Sequence, residues 1–473
     1  MPDVPMTLIK GDKIANGYET DYRDALPVNF YAVNRDILGA KGYLLDYPGI
    51  SSLGTGQGVD RGGIYNERFE DQYRVSGSSL IKVSASGAVT VLGTIPGTGQ
   101  ARMESFYSFN TQGIIADGNM YLYSSSSGFN QVTDSDLGDP LDGVWVNGYY
   151  FLTDGEYIYH TDLDDETSID PLKFATAEFM PDPSIGLSKT QDNKVMVWGR
   201  YTLEYFQDIA NTDFAFTRIE TRAQKIGIVA THAKCETKGM WYIAGGHKNE
   251  AVGIHAVTLG ESTKISTREI DKILKQYTEP QLSDIRMESR TEDDTTFVLV
   301  HLPNECLCFN ENIASSIGLN YAWSILKTDI SGDNPYRAIN GVMDARSAKW
   351  VYGDKRDNKI GILDNDVCTH YGDNVEGILY TPLVNLETLS INELKIETIP
   401  GHTAEEGAKV AISHTSDGVT YGMEEWLEYG DPKDYGKRFI ARQLGYIEDW
   451  VGFKIRKVSG ARMAFALMTL EVS

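Results

Sequence analysis

One hairpin design recurs along this chain of 473 residues, and the recurrence limits what the chain can fold into. The segments are "YRVSGSSLIKV" from Tyr73, "IIADGNMYLYS" from Ile114, "YFLTDGEYIYHTDL" from Tyr150 and "VMVWGRYTLEYF" from Val195. They continue with "MWYIAGGHKNEAVGIHAV" from Met240, "TFVLVHLPNECLCFN" from Thr296 and "WVYGDKRDNKIGIL" from Trp350. Each joins two apolar or aromatic strands through a turn rich in Gly, Asp or Asn, residues that tolerate the positive φ of tight hairpins. The starts fall 36 to 56 residues apart, which leaves room for a four-stranded sheet per period. That period is the signature of a β-propeller. The reading is therefore all-β, with a propeller of six or seven blades over residues 46–370, seven being favoured by the hairpin count.

The flanks read differently. Residues 1–45 are expected to pack on the propeller as an N-terminal segment that supplies a ring-closing strand. After about residue 376, "LKIETIP", "KVAISHTSDGVTYG", "RFIARQLGYI" and "VGFKIRKV" are closely spaced strands without the long period, so residues 371–473 read as a small β-sandwich. One short amphipathic helix interrupts the propeller at "STREIDKILKQYTEP". There Ser266 and Glu269 have capping-box spacing, Ile270, Ile273, Leu274 and Tyr277 form one apolar face, and Pro280 ends the run.

Charge removes one class of function. Lys and Arg total 43 against 67 Asp and Glu, a formal charge of −24, so no general Lys/Arg surface exists to neutralise nucleic-acid phosphates. A wall that DNA passes without being held remains compatible with that charge. The start "MPDVPMTLIKGDK" has neither the basic nor the apolar region of a secretory signal, and no apolar run reaches the ~18 residues of a membrane helix. Cys306 and Cys308 stand at i and i+2 on one strand, poor geometry for a mutual disulfide, and with Cys235 and Cys368 they read as reduced thiols of a protein made in a cytoplasm.

The stretch "YFLTDGEYIYHTDLDDE" (150–166) poses the one serious question of chemistry, because it sets His160 beside a run of carboxylates. An EF-hand loop begun at Asp162 would need Gly at its sixth position and Glu at its twelfth, where Thr167 and Lys173 stand. "TDSDLGDPLDG" (133–143) lacks the late glutamate too. Neither zinc spacing among the eight histidines nor a G-x-S-x-G elbow occurs, and "GTGQG" (54–58) is not followed by a helix pattern. No catalytic, cofactor-binding or metal residue is assigned. The stretch reads as a blade hairpin with its turn near Asp154 and Gly155, Asp164 to Glu166 exposed, and His160 replaceable at surface cost.

Several colinear segments together resemble the tail hub, or packaged DNA stabilisation, proteins of short-tailed bacteriophages. They are "DALPVNFYAVNRDILGAKGYLLDYPGI" (24–50), "RGGIYNERFEDQYRVSG" (61–77), "YTLEYF" (201–206), "ISTREIDKILKQYT", "VHLPNECLCFN", "WSILKT" (323–328), "YGDKRDNKIGILD", "TSDGVTYG" (415–422) and "RFIARQLGYIEDWVGFKIR". The resemblance implies a structural virion protein of the phage tail, not an enzyme and without cofactors. It implies a homohexamer, a six-fold ring that joins the portal adaptor after packaging. Such a ring retains the DNA until ejection and docks tailspikes or tail fibres and the tail needle. Synthesis in the host bacterial cytoplasm, no membrane anchor, and passage of DNA without sequence-specific binding follow from the same likeness. The alternative from the residues alone is a glycan-binding or glycan-cleaving propeller; "TSDGVTYG" comes near a sialidase box only once and outside the periodic region. One basic stretch, "KDYGKRFIARQLGYIEDWVGFKIRKVSGAR" (433–462), stands out in the acidic chain. Lys437, Arg438, Arg442, Lys454 and Arg456 are its candidate protein–protein contacts, for an acidic neighbour in the ring or the adaptor.

Overall fold

The computed structural model describes the chain except residues 1–2, 7–25, 38–39, 41, 107–109, 178, 293, 331, 333, 400–402 and 404. Among the described residues, four successive antiparallel four-stranded meanders cover 60–94, 102–131, 142–175 and 184–218. A fifth sheet (227–264) carries one extra short strand, and a sixth (286–326) is again four-stranded. The last takes Ala338–Asp344, Lys349–Asp354 and Lys359–Asp364 and gains its fourth strand from β4 (Gly49–Thr55), which follows β1 (Asp3–Met6), β2 (Phe30–Val33) and β3 (Tyr43–Asp46) along the chain; the short Thr369–His370 and Asp373–Asn374 add to it beyond β4. These are seven blades. The seven recurring hairpins are the second and third strands of each, and the strand that completes the seventh comes from the N-terminal side.

The strands of those hairpins are rich in apolar residues because both faces of a blade are covered. Adjacent residues on a strand point to opposite faces. Ile114 packs with Tyr73, Val75 and Leu80 of the first blade, and its neighbour Ile115 packs with Tyr150 and Leu152 of the third. Phe151 then faces Val195, Val197 and Phe206 of the fourth, while Met196 and Trp198 face Ile228, Ile243 and Val257 of the fifth. Ile81 and Val83 of the first blade meet Val351 and Ile360 of the last. Each fully buried large side chain contributes roughly 1.5–3 kcal/mol.

Buried ion pairs stitch the same seams. The Asp60 carboxylate accepts from Arg74 Nε at 2.7 Å and from Asn340 Nδ2 at 2.6 Å, and Arg74 also donates to the Asn340 carbonyl at 2.8 Å. One carboxylate thus joins the first blade to the last. Asp142 accepts from Lys234 Nζ at 2.7 Å and from the Leu187 amide at 2.8 Å, joining the third, fourth and fifth blades. Burial opposes its charge, but the fields of Lys234 and Arg102 more than offset that and hold the carboxyl below the ordinary range. Arg61 reaches Asp117 of the second blade at 2.6 Å.

The chain divides into two compact units, one of residues 52–290 with 337–362 and one of 1–51, 291–336 and 363–473. The second unit holds the C-terminal sandwich. One of its sheets runs β2, β3, Ala464–Val472, Leu389–Thr398, Phe439–Ile447, with β1 also on Ala464–Val472; the other runs Glu376–Tyr380, Trp450–Val458, Lys409–Thr415, Glu425–Glu428. Residues 1–45 were expected against the propeller. Part of that stretch does meet it: the Asn29 amide donates to the Ile325 carbonyl and the Ile325 amide to the Pro27 carbonyl, both at 2.8 Å, on the last strand of the sixth sheet. Strands β1 and β3 also extend the sandwich sheet, because Ala464–Val472 offers an open ladder to which Leu44, Leu45 and Asp3–Met6 pair. Much of 1–45 lies outside the described residues.

The expected amphipathic helix forms, with Ile270 and Leu274 buried, but it is shorter than the stretch 266–280 and a second helix follows it. Among the described residues there are three short helices, α1 (Arg268–Leu274), α2 (Glu279–Leu282) and α3 (Glu311–Ser316). Thr267 stands at the N-cap of α1, because the Ser266 hydroxyl is taken up by Asp271 at 2.7 Å and by the Ile254 amide. Pro280 sits inside the first turn of α2, where a missing N–H costs nothing.

Gly353 is a position where only a hydrogen fits: a Cβ there would lie 2.1 Å from Asp60 Cγ. Gly353→Ala is expected to lose about 3 kcal/mol in urea unfolding. Gly436→Ala, with open space around it, is expected to stay within about 0.5 kcal/mol.

Candidate interaction surface

The five basic residues singled out from sequence do not form one face. Lys437 and Arg438 lead into Phe439–Ile447, the strand that carries Arg442 and ends one sheet of the sandwich. Lys454 and Arg456 lie on Trp450–Val458, inside the opposite sheet between Glu376–Tyr380 and Lys409–Thr415. Alternation along that strand buries Phe453 and Ile455 and turns the two cations to the other side, as the pattern predicts.

Internal carboxylates meet them there. Arg456 donates to Glu376 and, at 3.1 Å, to Glu424, while Lys454 Nζ lies 3.9 Å from Glu424 and over the Tyr421 ring. Glu376 also accepts from Lys327 Nζ at 2.8 Å. Burial works against the charge of Glu376, but its bonds to Lys327 and Arg456 outweigh burial and hold it below the usual range. Lys454 and Arg456 are thus engaged by carboxylates of their own chain, in a network of three cations and two carboxylates.

The edge strand is different. Arg438 is exposed, Arg442 is 70% exposed beside Glu393 at 3.2 Å, and Lys437 meets Glu428 at 3.1 Å. Exposed pairs of this kind contribute little and exchange readily for a partner's carboxylates. Tyr435 and Tyr446, near the two ends of the strand, are exposed, as is Trp426 on the strand that ends the other sheet. Aromatic and Arg side chains on an open edge are the composition of a protein–protein contact. These aromatics were missed from sequence; the available signal was a large ring at an outward position of an alternating strand.

The His160 stretch resolves as a blade. Tyr149–Thr153 and Ile158–Asp162 are antiparallel, and Asp154 Oδ1 accepts from the Glu156 and Tyr157 amides to shape the turn. Asp164 and Asp165 are exposed; Glu166 is half-buried, where burial raises its pKa. His160 is a core residue, contrary to the surface reading. Its Nε2 accepts from the Ala215 amide at 3.1 Å, which leaves Nδ1 to donate to the Thr161 carbonyl at 2.8 Å, and its ring packs on Tyr149 and Phe214. Burial lowers its pKa. Among the described residues no group of three His, Cys, Asp or Glu is arranged to hold a metal ion.

Comparison with known proteins gives two family models. One described as "Bacteriophage P22 Gp10, beta-propeller" matches residues 3–368, and one described as "Bacteriophage P22 Gp10, beta-sandwich" matches residues 376–473. The tail hub protein gp10 of Salmonella phage P22 is 29% identical over 455 residues, covering 93% of this chain and 93% of that protein. Among solved structures, virginiamycin B lyase from Staphylococcus aureus is 11% identical with a TM-score of 0.38, covering 77% of this chain and 98% of that one. The extracellular domain of a one-component system from B. thetaiotaomicron is 10% identical with a TM-score of 0.44, covering 86% and 48%. Likeness at that level assigns no chemistry.

His160→Ala is expected to cost about 2 kcal/mol, from the orphaned Ala215 amide and the emptied aromatic site, whereas Asp164→Asn should be neutral within about 0.5 kcal/mol. Acid adds a second signature. Burial, then the nearby His247 and Lys264, lower the His255 pKa to about 4. The unfolded imidazole titrates near ~6.5, so this group contributes nothing to the pH dependence above that value. Stability is lost as pH falls from there toward 4, and His255→Gln should flatten the profile of urea midpoints in that window.

Proposed function

The chain belongs to the bacteriophage P22 gp10 family, the tail hub proteins of short-tailed phages, and from that premise we propose that it is a structural tail hub. The observation that carries this is the match of propeller and sandwich models, in order, over nearly the whole chain. In this reading six copies form a ring that joins the portal adaptor after packaging. The ring retains the DNA until ejection and presents sites to tailspikes or fibres and the tail needle. The protein is made in the host cytoplasm, works in the virion and catalyses nothing. A charge of −24 suits a wall along which DNA moves without being gripped. Of the five candidate contacts, we assign docking to Lys437, Arg438 and Arg442. Arg438 is exposed, Lys437 meets the exposed Glu428 and Arg442 is itself 70% exposed beside Glu393, whereas Lys454 and Arg456 serve the fold.

The test is addition of purified protein to tailless particles that already carry portal and adaptor. Wild type should add and reduce DNA leakage; failure to add contradicts the proposal. An Arg438→Glu, Arg442→Glu variant with an unchanged circular dichroism spectrum should add at least ten-fold more slowly at low salt. The gap should narrow as salt rises. Equal rates at every salt would remove this edge from the contact.

A further inference from the structure

The outer ladder of Ala464–Val472 is shared by two short strands. β3 pairs at Ala464 and Phe465, and β1 pairs at Met468 to Glu471. The second stretch therefore forms a slot of four residues that β1 alone fills on that side, above a core in which Met468, Leu470 and Val472 are fully buried. Left empty, it would present unpaired backbone donors and acceptors at a sheet edge, which is costly and invites another strand.

β1 is a weak tenant. It has four residues, and Pro5, opposite Thr469, has no N–H to give the ladder. The register sets Asp3 opposite Glu471. Residues 7–25 separate β1 from the next described part of its own chain. The covalent reach of such a connector is roughly 60 Å, comparable to the width of a folded chain of this size. The slot fixes the sequence and register of the strand that enters it; it does not fix which copy supplies that strand.

We propose that β1 is an exchangeable strand. When copies of this chain are held side by side, residues 3–6 of one copy enter the slot at Met468 to Glu471 of its neighbour, in the register seen within one chain. The opposite end of the sheet is guarded against the same event. Arg438 and Arg442 line Phe439–Ile447, and Gly445, at φ +96°, follows a register shift there. Exchange would lock neighbouring copies together without new surface, since each slot is filled either way. The proposal rests on the tail-hub reading only for the setting in which copies become neighbours.

Two single variants, Asp3→Cys and Glu471→Cys, test it, because directly paired strand residues lie within disulfide reach. The two proteins are mixed, oxidised both in concentrated solution and after addition to tailless particles, and their linked peptides identified by mass spectrometry. That identification separates the new bond from the native thiols Cys235, Cys306, Cys308 and Cys368. The expected result is a covalent dimer joining position 3 of one chain to position 471 of the other, abundant on particles and scarce in dilute solution. A chain carrying both substitutions should link within itself when dilute. If it links only within itself on particles as well, and the mixture gives no such dimer, the exchange is refuted. Failure of wild type to join particles would instead count against the tail-hub reading, and the concentrated mixture still decides the exchange.

Discussion

The propeller depends on one closure, in which β4 lies beside Lys359–Asp364 and joins the three strands of 338–364, with the short Thr369–His370 and Asp373–Asn374 beyond it. Without it, the last blade lacks a strand and the first has nothing complete to pack on. The contact of Ile81 and Val83 with Val351 and Ile360 and the bonding of Asp60 to Arg74 and Asn340 both lie on this seam. A seam of apolar packing alone tolerates sliding. The Asp60 site does not, because a displaced Arg74 would leave two buried charges without partners, a loss on the order of 3–5 kcal/mol.

The same device recurs at lower symmetry. Asp142 with Lys234, Arg61 with Asp117, and in the sandwich Asp46 with Lys457 each set one buried or half-buried ion pair between segments far apart in sequence. Such pairs add little net stability over apolar packing, yet they fix register. A protein whose task is to hold a position in an assembly gains more from fixed register than from a larger core. Its excess acid is left on the surface, where Lys437, Arg438 and Arg442 form a local exception.

Much of this was legible in the chain, for a physical reason. The second and third strands of each blade are buried on both faces, so they stand out as apolar runs around a turn; Tyr150 and Phe151 serve two different seams and both must be apolar. The outer strands, exemplified by Asp165–Ala175 with its exposed Leu172, are half-solvated and blend into loops. Pairings across the length of the chain left no local trace. Nothing near Leu44 announces Phe465 as its ladder partner, and nothing near Arg456 announces Glu376. The candidate surface was therefore read as five cations on one edge when two belong to an internal network. His160 was misread for the same reason, since its partner Ala215 lies in the next blade.

The direct measurement of this account is native-state amide hydrogen exchange of the intact chain in rising denaturant. If closure by β4 makes the propeller one cooperative body, amides of residues 52–55 and 359–362 will exchange only through the opening event that frees the central strands at 149–153 and 195–199, with the same free energy and the same denaturant slope. Exchange at the β4 seam through a smaller, denaturant-insensitive opening, while the central strands stay protected, would contradict it.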